Sequence, residues 1–120
     1  MEEKRKAQRR YLLYYARVYD AATRQQVGHL VDITHLGAMI ISPGPIPEGH
    51  SMRLRIELSE DVAEKPHMEL AVRSKWCHPD LDPSLYNIGF EIETLSVEDS
   101  GIIRKIVETY GFRDNEPTRR

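Results

Sequence analysis

Two short stretches hold the residue types with the most chemistry to offer. Arg5-Lys6-Ala7-Gln8-Arg9-Arg10 sets guanidinium groups four residues apart, and Asp32-Ile33-Thr34-His35-Leu36-Gly37 packs a carboxylate, a hydroxyl and a glycine into one turn. A guanidinium pair presents forked donors that match phosphate oxygens or the O6/N7 edge of guanine. Guanine's remaining edge donates hydrogens and wants an acceptor such as a carboxylate. Together the stretches imply a site for an anionic guanine nucleotide, although each alone is a common pattern. The structural alternatives are a solvated basic arm and a hairpin turn. In such a turn Asp32 caps, Thr34 bonds nearby backbone and Gly37 supplies positive φ. The turn role is compatible with the site role.

Other candidates are weaker. Trp76 shares its strand parity with Met68, Leu70 and Val72, which reads as core, yet its place near the strand end would let it stack on a base. Tyr14, Tyr15 and Tyr19 read as barrel or surface aromatics. Cys77 is the single cysteine, so a disulfide within the chain is excluded. Cys77, His78 and the other histidines lack metal-ligand spacings, and no metal site is expected. No Gly-x-Ser-x-Gly, P-loop or nucleophile with an evident base is present, so the chain is not expected to be an enzyme.

These residues must be positioned by a small fold. At 120 residues, 40% hydrophobic and 30% charged, the chain fits one ordinary globular domain. A formal net charge of −2 argues against coating nucleic acid by bulk electrostatics. Lys4, Arg5, Lys6, Arg9 and Arg10 nonetheless make a local basic patch, suited to a small anionic ligand. No signal peptide and no apolar run long enough to span a membrane is visible, and a lone thiol suits a reducing compartment. A cytoplasmic protein without membrane insertion is expected.

Residues 1–10 read as a flexible basic arm, 11–112 as the domain and 113–120 as a disordered tail. Strands are expected over 12–19, 26–31 and 38–41, the last ended by Pro43, Pro45 and Pro47. Period-two alternation is clearest at Met52, Leu54, Ile56 and Leu58 and again at Met68, Leu70, Val72 and Trp76. A further strand is expected over 85–92, with 78–83 as a loop. Ser96-Val97-Glu98-Asp99 matches a capping box, and Ile102, Ile103, Ile106, Val107 and Tyr110 follow helical spacing up to Gly111. The expected fold is mainly β: a six-stranded antiparallel barrel with a C-terminal α-helix.

In order and spacing the chain resembles the PilZ domain, the bacterial receptor module for cyclic di-GMP. The family pattern is Arg-x-x-x-Arg followed about twenty residues later by Asp/Asn-x-Ser-x-x-Gly. Here it reads Arg5-x-x-x-Arg9, with Arg10 next, and Asp32-x-Thr34-x-x-Gly37; Asn87-Ile88-Gly89-Phe90-Glu91-Ile92 and the last helix also look like the family. The resemblance implies that Arg5, Arg9 and Arg10 clasp phosphates or guanine, and that Asp32, Thr34 and Gly37 complete the site with Trp76 in reach. It implies cyclic di-GMP as ligand, no cofactor, and an unidentified downstream protein as partner. Thr34 departs from the usual serine, adding a methyl that stiffens χ1 and crowds the base. Lys6-x-x-x-Arg10 offers a second register for the arm. Two rival readings remain: a PilZ-like protein-interaction module that ignores cyclic di-GMP, and a small barrel for single-stranded nucleic acid. The mixed charges of the outward strand residues disfavour the second rival. Oligomeric state is open.

Overall fold

The computed structural model describes residues 11–12 and 14–112. The expected arm, with Arg5, Arg9 and Arg10, and the expected tail at 113–120 lie outside the described residues.

Among the described residues, eight strands and one helix follow in order. They are β1 (Tyr11–Leu12), β2 (Arg17–Asp20), β3 (Gln26–Ile33), β4 (Gly37–Ser42), β5 (Ser51–Glu57), β6 (His67–Pro79), β7 (Tyr86–Thr94), α1 (Val97–Tyr110) and β8 (Gly111–Phe112). Six of them close an antiparallel barrel in the order β2-β3-β4-β7-β6-β5, with β5 returning to pair with β2. Closure removes exposed sheet edges. The alternation in β5 and β6 sends Leu54, Ile56, Met68, Leu70 and Val72 inward, where they meet Leu30, Ile40 and Ile88 in one core.

Two expectations about boundaries change. The strand expected over 12–19 is two pieces, because β1 leaves the barrel and pairs with β8 beyond the helix, Tyr11 opposite Phe112. No local pattern could reveal a partner a hundred residues away. The loop expected at 78–83 begins later, since β6 runs on to Pro79, which pairs with Tyr86.

The terminal helix starts as its sequence requires. Ser96 caps it, its hydroxyl accepting the Asp99 N–H at 3.0 Å. Ile102, Ile103 and Ile106 are buried and join the barrel core. The loop between β5 and β6 holds the helix at both ends. Lys65 pairs with Glu98 at 3.4 Å and Asp99 at 3.5 Å, while the Tyr110 hydroxyl donates to Asp61. Tyr110 also packs on Tyr14, ring centroids 4.8 Å apart. Gly111 is in extended conformation (φ −70°) rather than left-handed; a Cβ there would stand 2.5 Å from the Val107 carbonyl oxygen.

The register fixes which elements share a barrel end. Arg17 opposes His29, Ile33 opposes Ala38, and Gly37 opposes Glu91. The start of β2 therefore lies at the same end as the turn after β3. The chain before β2 continues along β3, with the Leu30 N–H donating to the Ala16 carbonyl at 2.8 Å, and β1 lies against β3 as well.

Candidate functional site

The turn Asp32–Gly37 is built by its own polar groups. The Thr34 N–H donates to the Gly37 carbonyl at 2.8 Å, and the Thr34 hydroxyl accepts the Leu36 N–H at 3.1 Å. A hydroxyl that accepts still has its own proton to donate, so Thr34 retains a donor for a phosphate or base oxygen. Asp32 accepts the Ile33 N–H at 2.9 Å through Oδ1. A register shift between Leu30 and Asp32 sets this carboxylate at the mouth of the turn. The Ile92 N–H donates to the Leu36 carbonyl at 2.9 Å and ties the turn to β7.

Gly37 has a different reason to be glycine than a turn would give it. Among the described residues positive φ occurs at Arg24 (67°) and Gly49 (78°), and Gly37 is not one of them. A Cβ on Gly37 would lie 2.2 Å from the Phe90 carbonyl oxygen. Close approach of β4 to β7 demands the missing side chain.

Trp76 departs most from the parity reading. Met68, Leu70, Val72 and Ser74 are buried in step, and strict alternation would bury Trp76 next. Instead the register slips: Ser74 opposes Phe90 and Trp76 opposes Gly89, leaving Lys75 as the extra residue of a bulge. Such an insertion reverses the facing of everything after it. Cys77 consequently packs against the core opposite Ile88, while the indole lies on the outer face over Gly89. A Cβ at Gly89 would stand 2.3 Å from the ring. His78 stacks against the ring, centroids 5.0 Å apart at 21°.

The bulge is fixed by a buried hydroxyl. Ser74, 1% exposed, donates to the Pro47 carbonyl and accepts the His50 N–H at 3.0 Å. Backbone bonds from Ser74 N–H to the His50 carbonyl (2.9 Å) and from Gly49 N–H to the Ser74 carbonyl (2.8 Å) complete the clamp.

A cleft of about 590 Å³ collects these residues, with Asp32, Thr34, Gly37 and Trp76 among its walls. His35 and Leu36 come with the turn itself, whereas Met39, Lys75, Glu91 and Ile92 line it too and were not singled out as site residues by sequence spacing. Their arrival depends on the bulge and on the β4–β7 register, which leave no local signature. The volume lies within the range of about 300–1,000 Å³ usual for small-molecule sites. An indole face, a carboxylate, a hydroxyl and an ammonium suit a flat polar ring that carries an anionic group. Among the described residues no His, Cys, Asp and Glu cluster could hold a metal ion, and no helix is long and apolar enough to cross a membrane.

A closed six-stranded barrel with a C-terminal helix thus carries this cleft beside the turn between β3 and β4. The family model for the PilZ domain matches residues 3–109, and the chain belongs to that family, whose members are ligand-binding or adaptor modules. Among solved structures it is similar to the Bacillus subtilis inhibitor of motility (MotI/DgrA), with a TM-score of 0.64 at 16% identity over 84% of this chain. The match takes in 50% of that protein, so the chain spans about half its length. At this identity the likeness concerns the fold. No curated protein matches.

Proposed function

We propose that the protein binds cyclic di-GMP in this cleft, from a cytoplasmic location, and passes the signal to a partner protein by ordering its N-terminal arm. The observation that carries the reading is the convergence of Asp32, Thr34 and Trp76 on one cleft at the barrel end where β1 lies against β3. Arg10 immediately precedes β1, and Arg9 and Arg5 stand two and six residues before Tyr11. An extended chain of that length reaches roughly 7 Å and 20 Å, enough for both guanidinium groups to close over a neighbouring cleft.

Each group then has a task. Trp76 offers its face to a guanine, Asp32 accepts from guanine N1 and N2, and the Thr34 hydroxyl donates to a phosphate or base oxygen. Arg5 and Arg9 take phosphate oxygens as bidentate, charge-assisted contacts, and Arg10 adds a third cation. An arm drawn onto the barrel changes the surface beside β1, β8 and the end of α1, which is what a partner would read. Isothermal titration calorimetry tests the reading. Saturable heat with cyclic di-GMP, much weakened in Arg9→Ala and Asp32→Ala, is expected. Absence of binding at high micromolar ligand refutes it and favours an interaction module independent of the nucleotide.

A further inference from the structure

Lys75 is the residue that the bulge inserts, and it lines the cleft beside Trp76. Its ammonium stands 3.5 Å from Glu91 Oε1, and Glu91 lines the cleft as well. Neighbouring Arg73, which opposes Glu91 across the sheet, is paired instead with Glu93 at 3.5 Å. Both partners of the Lys75–Glu91 pair are about half exposed, 55% and 54%. An exposed pair at this distance is weak and easily exchanged for a better one. A phosphodiester in the cleft competes for that ammonium, because it carries a permanent negative charge and two acceptor oxygens for charge-assisted hydrogen bonds.

We propose that Lys75 is a ligand-contacting cation, stored on Glu91 in the free protein and transferred to a phosphodiester oxygen of the bound dinucleotide. This rests on the reading of the cleft as a cyclic di-GMP site. Glu91 is then a competitor for the ammonium, so occupancy of the cleft is weaker than its cations alone would give. The Ser74 clamp matters because it holds the bulge that aims Lys75 and Trp76 at the same space.

The test is calorimetric titration with cyclic di-GMP of the wild type, K75M, K75R, E91Q and Arg9→Ala. Loss of a charge-assisted contact should weaken K75M about tenfold or more, while K75R, which keeps the charge, stays near wild type. Release from a weak surface pair should tighten E91Q by about two- to fivefold. Loss of the Glu91 charge alone also favours an anion, so the gain must disappear in the double variant K75M/E91Q; a gain that persists there is relieved repulsion and overturns the proposal. Wild-type affinity in E91Q, or weakened affinity, overturns the proposal; if Arg9→Ala still weakens binding, the receptor reading survives it. A wild-type protein that gives no heat removes both.

Discussion

Gly89→Ala isolates the geometry on which the cleft depends. In most strands this change gains roughly 0.5–1 kcal/mol, because alanine loses less backbone entropy on folding. Here the new methyl would stand 2.3 Å from Trp76 Cε2 and 2.5 Å from Cζ2 and Nε1. Carbon atoms settle at about 3.5–4.0 Å, so the ring must lift by roughly 1.2–1.7 Å. Lifting it forfeits the contact with the sheet and the stack on His78, which should cost about 1–3 kcal/mol. The net expectation is a loss of roughly 0.5–2 kcal/mol. In a Trp76→Ala background the obstacle is gone, and the same Gly89→Ala change should be neutral or stabilising. Urea unfolding followed by far-ultraviolet circular dichroism on the four proteins gives the coupling directly, expected at about 1–3 kcal/mol. Trp76 is the single tryptophan, so its emission should also shift red in Gly89→Ala as the ring meets water. Equal effects in both backgrounds would refute the stacked placement, and with it the bulge at Lys75.

Three further substitutions probe the same packing and its hydrogen bonds. Gly37→Ala drives a methyl to 2.2 Å from the Phe90 carbonyl, backbone that cannot yield, and should destabilise by about 2–4 kcal/mol in denaturant titration. Ser74→Ala leaves the Pro47 carbonyl and the His50 N–H without their partner and should cost about 1–3 kcal/mol, seen as a lower urea midpoint. Asp61 is held below the ordinary carboxylate range by hydrogen bonds from Ser59 and then Tyr110. A depressed folded-state value means its stabilising effect is complete above the ordinary carboxylate pKa and fades as pH falls below it. Asp61→Asn should therefore unfold at a lower urea midpoint than wild type at pH 6, with the gap narrowing at pH 3.

Much of the architecture was legible because it rests on local periodicity. Met52 to Leu58 and Met68 to Val72 alternate because one barrel face is dry, and Ser96 with Ile102, Ile103 and Ile106 announces a capped helix with one buried stripe. Asp32 and Thr34 stood out for the same reason: a turn concentrates its polar groups in a few adjacent positions. Trp76 was placed by parity among core residues, and parity fails after an insertion. The bulge at Lys75 is set by a hydroxyl bonding to a loop more than twenty residues upstream, which no pattern around Trp76 records. The pairing of β1 with β8 escaped for a similar reason, since both strands are too short to show a period. Gly37 was expected to serve the turn through positive φ, and serves instead the spacing between β4 and β7.

An amide NMR titration with cyclic di-GMP tests the central claim most directly, because it reports arm and cleft at once. The account predicts shifts that saturate together at Arg5 to Arg10, at Asp32 to Gly37 and at Lys75, Trp76 and Gly89, with the opposite barrel end around Asp20, Thr23 and Leu85 unmoved. A spectrum unchanged at saturating ligand, or shifts confined to that opposite end, would contradict it.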